Sequence, residues 1–336
     1  MSETNAQVGQ SSGTGGDKKE KGHGINFAEL MQQHGVFFGL IGICIFFALN
    51  SEHFFTMDNF LNIMRQTSIN AIIAVGMTYV IISKGIDLSV GSIVALAAVV
   101  VSALITNFGV HPVLAILGAL LAGMVVGFVN GHTVAYGGIP AFISTLATMT
   151  IIRGIAFLLT NGYPIYIKSD LMHLLGRGFI LGIPTPVIFM VLVLVLGGFL
   201  LGKTKIGRYL YAIGGNSETA KLSGINVEAV TIFAYVFTGL LAALSGVLVA
   251  ARLSSGPPNV GTGFELDAIA ACVLGGTSLS GGIGTIKGTL IGALLIGILN
   301  NGLNLLNVNP YVQMIIKGAV IFSAVYLSAV KGKDSK

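Results

Sequence analysis

Apolar stretches long enough to cross a lipid bilayer recur along most of this 336-residue sequence. A membrane helix needs about 20 predominantly apolar residues, and fewer where it packs inside a bundle. Ten segments meet this requirement and predict an all-α polytopic membrane protein with about ten transmembrane helices. They lie near residues 33–50, 68–83, 90–106, 112–129, 139–160, 180–201, 228–251, 264–276, 288–306 and 311–330.

The scarcity of charge excludes most soluble alternatives. Only 9% of the residues are charged, whereas a soluble domain carries about 25%. A nucleic-acid-binding module would need a basic face, but the 18 Lys and Arg residues are spread along the chain. We therefore expect a lipid bilayer, and no nucleic acid, as the surroundings of this protein.

The distribution of basic residues predicts an orientation. Residues 1–30 begin polar and rich in Gly and Ser, which predicts a disordered cytoplasmic tail. Residues 31–330 form the membrane domain, and 331–336 form a cytoplasmic C-terminal tail. With both termini inside, the inner segments hold twelve Lys and Arg and the outer loops four. The positive-inside rule favours this orientation over the opposite one.

A weak internal repeat connects two distant parts of the sequence. Residues 69–96 align without gaps onto residues 266–293, at an offset of 197, with seven identical positions. The repeat predicts two similar half-units facing each other across a pseudo-twofold axis, as transporters have, with a path between them. A chance match in so apolar a sequence is the alternative.

Residues 197–204 satisfy the P-loop pattern with Gly197, Gly202, Lys203 and Thr204. A working P-loop joins a strand to a helix, so that backbone N–H groups hold phosphate. Here the pattern lies at the end of a long apolar segment, and we interpret it as a helix end with a Lys anchor. No catalytic set, metal-ligand spacing or cofactor motif is recognisable, so the sequence predicts neither an enzyme nor a bound cofactor.

Residues 203–227 form the longest hydrophilic internal segment on the predicted cytoplasmic side. Gly214 and Gly215 break the chain there. Asn216 or Ser217 can then cap a short helix, because their side chains accept hydrogen bonds from the first turn. The segment is interpreted either as a docking site for a soluble partner or as a capped loop that merely joins two spans.

Several polar residues lie within or beside the predicted spans. A charge inside the bilayer costs about 2.5–3.5 kcal/mol, so each one needs a reason. We expect either a place on a transport path or internal pairing and helix capping; Arg153 and Lys317 are open to the same two readings. The path candidates are Asn70, Asp87, Asn130, Glu265, Asp267, Asn300, Asn301 and Asn304.

Several motifs together carry a family resemblance. They include NFLNIMRQTSINAIIAVGM (59–77), GIDLSVGS (85–92), GRYLYAIGGN (207–216), SGIN (223–226), ELDAIAACVLGGTSLSGG (265–282) and NNGLNLL (300–306). In order and spacing they resemble the membrane permease of bacterial ribose-type ABC importers, from about residue 35 to 330.

The resemblance implies a multi-pass permease in the bacterial inner membrane that works with partners. Two copies pair as a homodimer, a periplasmic sugar-binding protein delivers a monosaccharide, and a separate cytoplasmic ATPase subunit supplies the energy. Ribose is the favoured substrate, although related permeases carry galactose, xylose, allose or a furanosyl signalling molecule. The implied ATPase-coupling loop consists of Gly214, Gly215, Asn216, Glu218, Ala220, Lys221, Ser223 and Gly224.

If the substrate is a sugar, the asparagines among the path candidates are suitable contacts, because amides both donate and accept hydrogen bonds and so match sugar hydroxyls. Asn300, Asn301 and Asn304 are expected to form a polar patch on the ninth span.

The rival function is a secondary sugar transporter driven by an ion gradient, with Asp87 or Asp267 as its titratable carboxylate; a non-transporting scaffold is less favoured. The sequence does not decide whether residues 264–276 span or re-enter.

Overall fold

The computed structural model describes residues 27–334, and it describes the side chains of residues 37–326. The chain divides into Met1–Gly35 and Val36–Lys336, and the contacts described below lie within the second unit. The predicted N-terminal tail lies outside the described residues up to residue 26, as do residues 335–336 of the predicted C-terminal tail.

Helices make up nearly all of the described region. Thirteen are found between residues 27 and 334: α1 (Phe27–Asn50), α2 (Met57–Ile82), α3 (Val90–Thr106), α4 (Pro112–Ala135), α5 (Ala141–Thr160), α6 (Asp170–Arg177), α7 (Thr185–Lys203), α8 (Lys205–Gly215), α9 (Ser217–Leu222), α10 (Val227–Leu253), α11 (Phe264–Leu274), α12 (Ile286–Leu305) and α13 (Pro310–Asp334).

Four two-residue strands complete the secondary structure of the described part. They are β1 (Ile165–Tyr166), β2 (Phe179–Ile180), β3 (Ile183–Pro184) and β4 (Ser255–Gly256). The pairs β1–β4 and β2–β3 are both antiparallel. The expected all-α class therefore holds for the main architecture, with two small strand pairs added in loops.

Each of the ten predicted spans overlaps one helix, and α6, α8 and α9 are additional. By length and composition, α4, α5, α7, α10 and α12 are apolar and long enough to cross a membrane. Shorter apolar helical segments lie at Phe37–Asn50, Val90–Thr106 and Pro310–Tyr326. The structure thus supports a helical protein that crosses a membrane several times.

Helix α2 is the central element of the fold. Its C-terminal half is almost completely buried, and it packs against α7, α10, α11 and α12. Two buried hydrogen bonds fix it: the Tyr79 hydroxyl donates to the Gly197 carbonyl at 2.6 Å, and the Thr78 and Thr289 hydroxyls lie 2.7 Å apart. These direct hydrogen bonds join α2 to α7 and α12.

Helices α4 and α10 approach closely because glycines face their contact. Gly123, Gly127 and Gly131 recur every fourth residue on α4, opposite Tyr235 and Gly239 of α10. A Cβ atom at Gly127 would collide with the carbonyl oxygen of Tyr235. Small residues at this spacing let membrane helices pack backbone against backbone.

Residues 254–263, which follow α10, contain no helix and enter the protein interior. Gly261 lies against Val94 near the start of α3, and α11 begins three residues later. At its other end α11 stops before Gly275, whose backbone packs on Gly288 at the start of α12. Irregular backbone at membrane depth is tolerated only where protein or a cavity surrounds it, and such broken helices are typical of transporters.

The helix boundaries agree with the offset of the predicted repeat. Each segment contains a helix, a loop and the start of a second helix. The second helices begin at Val90 and Ile286, close to the offset of 197. The pseudo-twofold axis itself stays a prediction.

Replacing Gly127 by Ala should destabilise the protein, because the new methyl group meets backbone that cannot move away. Overpacking of this kind costs about 1–3 kcal/mol. Gly198 on α7 is the matched control, since a Cβ there meets no atom within 4 Å. Thermal unfolding in detergent should show a lower Tm for Gly127→Ala and an unchanged or slightly higher Tm for Gly198→Ala. Equal Tm values would contradict the close α4–α10 contact.

Candidate functional site

A cavity of about 420 Å³ lies between α2, α10, α11, α12 and α13. Its apolar wall includes Ile69 and Phe264. The polar side chains that line it are Gln66, Asn70, Arg252, Asp267, Asn300, Asn304, Gln313 and Lys317. The fold therefore brings together four of the path candidates, Asn70, Asp267, Asn300 and Asn304, from three helices.

An ion pair forms one side of this cavity. Asp267 lies in the first turn of α11, where the helix dipole favours a carboxylate. Its Oδ2 accepts hydrogen bonds from Lys317 Nζ at 3.2 Å and from Asn300 Nδ2 at 3.3 Å. The Asp267 side chain is only 5% exposed and that of Lys317 is 30% exposed. The pair stabilises a carboxylate that would otherwise be unpaired in the interior and joins α11, α12 and α13.

Amide groups line the end of the cavity nearest the turn between α12 and α13. Gln313 Nε2 donates to Asn304 Oδ1 at 3.0 Å and to the Val308 carbonyl at 2.9 Å. An amide keeps further donor and acceptor capacity when one bond is made. The cavity thus offers both kinds of hydrogen-bonding group, as binding of a polyhydroxylated molecule requires.

Three arginines cluster beside the cavity, at the end of the bundle opposite α9. Arg177 Nε donates to the Arg252 carbonyl at 2.8 Å, and Arg252 Nη2 lies 3.5 Å from Asn62 Oδ1. The Arg65 guanidinium stacks 4.8 Å above the ring centre of Phe179. Within the described residues, ion pairs involve only Lys221 with Glu228 and Lys317 with Asp267. The cluster is therefore a cationic patch.

Asp87 and Asn130 form a separate polar cluster outside the cavity wall. The backbone N and Oγ of Ser89 donate to Asp87 Oδ1 at 2.9 and 2.6 Å, and Asn130 Nδ2 donates to Ser89 Oγ at 2.8 Å. Asp87 and Asn130 are both fully buried. Asp87 thus fixes the turn that leads into α3.

The remaining path candidates also lie away from the cavity wall. Glu265 Oε1 accepts a hydrogen bond from the Gly263 backbone at 3.2 Å, at the start of α11. Asn301 is buried and donates to Asn59 Oδ1 at 2.8 Å. The expected patch of three asparagines on the ninth span is thus divided, because Asn300 and Asn304 face the cavity and Asn301 faces α2.

Sequence reasoning missed three polar residues of the cavity, Gln66, Arg252 and Gln313. Gln66 had a usable signal, because it lies one turn before Asn70 on α2 and so on the same face. Arg252 and Gln313 had none, since only the folded chain brings them beside Asp267.

Arg153 also acts away from the cavity wall. It donates from Nη1 to the carbonyls of Pro258 and Val260 at 2.9 and 2.7 Å, and so holds the non-helical segment before α11. Of the two interpretations of Arg153, a place on a transport path or internal pairing, its hydrogen bonds agree with internal pairing.

The hydrophilic segment 203–227 contains two helices, α8 and α9, of which the sequence predicted only the second. Asn216 Oδ1 caps α9 by accepting from the Thr219 backbone at 2.9 Å, and Gly224 follows with φ of 82°. Ala220 is buried against the body, whereas Glu218 and Leu222 are exposed. Leu222 is 89% exposed, so α9 presents both polar and apolar side chains on its outer face.

Lys221 of α9 is bound to the start of α10. Its Nζ lies 2.9 Å from Glu228 Oε1, and this hydrogen bond raises the pKa of the Lys221 amine. The pair holds α9 to α10 from the exposed side.

The P-loop pattern at residues 197–204 does not form a loop. Gly197, Gly202 and Lys203 belong to α7, and Thr204 accepts from the Gly207 backbone as the N-cap of α8. The interpretation of this pattern as a helix end is confirmed.

Breaking the ion pair of the cavity should destabilise the fold. Lys317→Met leaves the Asp267 carboxylate without its cation, and we expect a loss of about 1–3 kcal/mol, less than for a fully buried pair because Lys317 reaches solvent. Asp267→Asn combined with Lys317→Met should recover part of that loss. A double-mutant cycle on Tm measures this coupling; strictly additive effects would contradict a direct pair.

Comparison with known proteins agrees with this architecture. The family model for the branched-chain amino acid transport system / permease component matches residues 59–325. The chain is 50% identical to the ribose import permease protein RbsC of Escherichia coli (strain K12) over 308 residues, which cover 90% of this chain and 95% of that protein. No solved structure matches significantly.

Further relatives show the same near-complete coverage. Identity is 49% over 309 residues to the ribose import permease protein RbsC of Bacillus subtilis (strain 168), covering 91% of this chain and 96% of that protein. It is 40% over 312 residues to the D-allose transport system permease protein AlsC of Escherichia coli (strain K12), covering 92% and 95%. The resemblance to ribose-type permeases is confirmed, and the chain belongs to the branched-chain amino acid transport system / permease component family.

Proposed function

We propose that this protein is the permease subunit of an ATP-binding-cassette importer that moves a monosaccharide, ribose, across the bacterial inner membrane. The observation that carries the proposal is the polar cavity inside a largely apolar helical bundle, in a chain half identical to ribose import permeases. The permease itself is not an enzyme, and a separate ATPase subunit hydrolyses ATP.

The proposed topology has ten crossings with both termini in the cytoplasm. Each predicted span overlaps a helix, and the non-helical residues 254–263 together with α11 supply the eighth crossing. This arrangement places α8 and α9 on the cytoplasmic side and α6 on the periplasmic side. The excess of Lys and Arg on the cytoplasmic side supports this topology.

The cavity is proposed as part of the sugar path. Its amides, its ion pair and its apolar wall offer many modest contacts in place of one deep site. Such a site suits an importer, because a sugar delivered by a binding protein must be released again. Asn70, Asn300 and Asn304 are the proposed contacts for sugar hydroxyls.

We propose one partner for the cytoplasmic face of the permease and another for its periplasmic face. The ATPase subunit docks on the coupling segment, residues 214–224, where Glu218 and Leu222 are exposed. A periplasmic sugar-binding protein docks on the opposite face, where the cationic patch of Arg65, Arg177 and Arg252 suits acidic side chains. Two copies of the permease pair in the membrane, as its relatives' family implies.

The ion-driven alternative gains no support from the two carboxylates that it needs. Asp87 is completely enclosed and bound by Ser89. Asp267 does reach the cavity, but Lys317 already neutralises it. A carrier that binds and releases protons or sodium would need a carboxylate free to exchange its partner.

Reconstitution into proteoliposomes tests the proposed function. The permease, its ATPase and the ribose-binding protein together should show ATP hydrolysis that ribose-loaded binding protein stimulates, and ribose should accumulate in the compartment facing the ATPase. The permease alone, under a proton or sodium gradient, should accumulate none. Accumulation by the isolated permease would refute the proposal in favour of the ion-driven alternative.

Asn304 and Asn301 should respond differently to replacement by alanine. Asn304→Ala removes a cavity amide, and we expect ribose uptake to fall about fivefold, the effect of one hydrogen bond, with little change in Tm. Asn301→Ala leaves the buried Oδ1 of Asn59 without its donor, so Tm should fall instead. Uptake assays and thermal unfolding on both variants check this contrast, which equal uptake in Asn304→Ala and wild type would contradict.

A further inference from the structure

Three segments meet at the end of the bundle that the proposed topology places in the cytoplasm. The Gly282 backbone donates to the carbonyl of Ile82, the last residue of α2, at 2.9 Å. The hydroxyl of Tyr211 on α8 donates to the Gly284 carbonyl at 2.7 Å, just before α12 begins. We call this contact the inner joint; it consists of Ile82, Lys84, Tyr211, Gly214, Gly215, Gly281, Gly282 and Gly284.

The end of α8 fits into this joint without spare room. A Cβ atom at Gly214 would collide with the Ile82 carbonyl oxygen and the Gly282 nitrogen. Lys84 Nζ donates to the Gly215 carbonyl at 3.2 Å from the other side. α9 begins two residues after Gly215, so the proposed docking helix is attached directly to the joint.

The backbone of the joint is held in conformations that L-residues avoid. Lys84 has φ of 66°, and Gly281 and Gly282 have φ of 82° and 73°. A positive φ is unfavourable for a residue with a side chain and persists where the surrounding structure demands it. The tight fit at Gly214 is such a demand.

The two loops that α8 touches are equivalent in the predicted repeat. The offset of 197 places Gly85 on Gly282 and Ser83 on Ser280. The first loop follows α2 and the second leads into α12, and each of these two helices runs without a break for about 20 Å to the cavity. There α2 contributes Asn70 and α12 contributes Asn300 to the wall.

We propose that the inner joint transmits movement of α9 to both walls of the sugar cavity at once, with Tyr211, Lys84 and Gly214 as its positioning residues. This inference rests on the proposed docking of the ATPase to α9. A stiff helix carries displacement along its axis, and the joint ties two such helices to a single point. One partner on α9 can therefore widen or narrow the cavity.

The test uses the complete complex in proteoliposomes, with ribose imported per ATP hydrolysed as the readout. Tyr211→Phe removes only the joint hydroxyl, and the double variant Lys84→Gly/Tyr211→Phe also removes the amine at a position whose φ suits glycine. Tyr209→Phe on the same helix is the matched control, because the Tyr209 hydroxyl makes no hydrogen bond within the described residues. ATPase retained per permease is measured alongside.

We expect Tyr211→Phe to lower ribose imported per ATP about fivefold, the double variant to lower it further, and Tyr209→Phe to leave it unchanged. ATPase retention and the rate of ATP hydrolysis should stay at the wild-type level in all three. A wild-type ratio in the double variant would overturn the proposal. So would a loss of uptake that merely follows a loss of retained ATPase, because that result indicates a structural role.

Glu218→Lys separates this inference from the function on which it rests. The exposed Glu218 lies on the docking face, so its charge reversal should reduce ATPase retention and leave the joint intact. Unchanged retention in Glu218→Lys would count against docking on α9, and hence against the proposed function. If the joint variants import the wild-type amount of ribose per ATP while Glu218→Lys retains less ATPase, the role of the inner joint is refuted and docking on α9 is not.

Discussion

The need to satisfy polar groups inside an apolar bundle is the constraint on which this structure depends. Each buried polar group needs a partner from the protein itself, because hydrocarbon offers none. Thr78 meets Thr289, Tyr79 meets Gly197, and Asp87 takes both donors of Ser89. These contacts fix α2 at the centre. Other polar side chains, Asn70, Asn300 and Asn304 among them, line the cavity that we propose as part of the sugar path.

The same constraint explains why a helix is broken beside the cavity. Residues 254–263 expose backbone groups that a continuous helix would satisfy, and Arg153 satisfies two of them. The break lets α11 begin inside the protein, so that its first turn carries Asp267 to the cavity wall. The ion pair with Lys317 then makes this position stable. The non-helical segment 254–263 therefore positions Asp267 at the cavity, and the ion pair of Asp267 with Lys317 stabilises α11 in that position.

Helix positions were largely predictable from the sequence, since each span is a local property of about 20 residues. The short helix α9 was predictable from its capping residue Asn216. Helix α8 was missed although its buried residues Gly207, Leu210 and Ile213 recur every third position, because Gly214 and Gly215 were interpreted as a break in a hydrophilic loop. The sequence showed which amides are unusual, because they lie in apolar runs. It did not show which of them line the cavity together, because that depends on how each helix is rotated about its axis. Asn301 lies one residue from Asn300 and faces α2, and no local pattern shows this.

The eleven residues of α11 have a consequence for how the protein is made. Insertion machinery partitions segments by their hydrophobicity over about 20 residues, and α11 is half that length with glycines on both sides. It is therefore too short to be retained by lipid alone. It packs on α12, α2 and α13, so we expect its stable insertion to need the protein surface that these longer helices supply, and this part of the cavity to form late in folding.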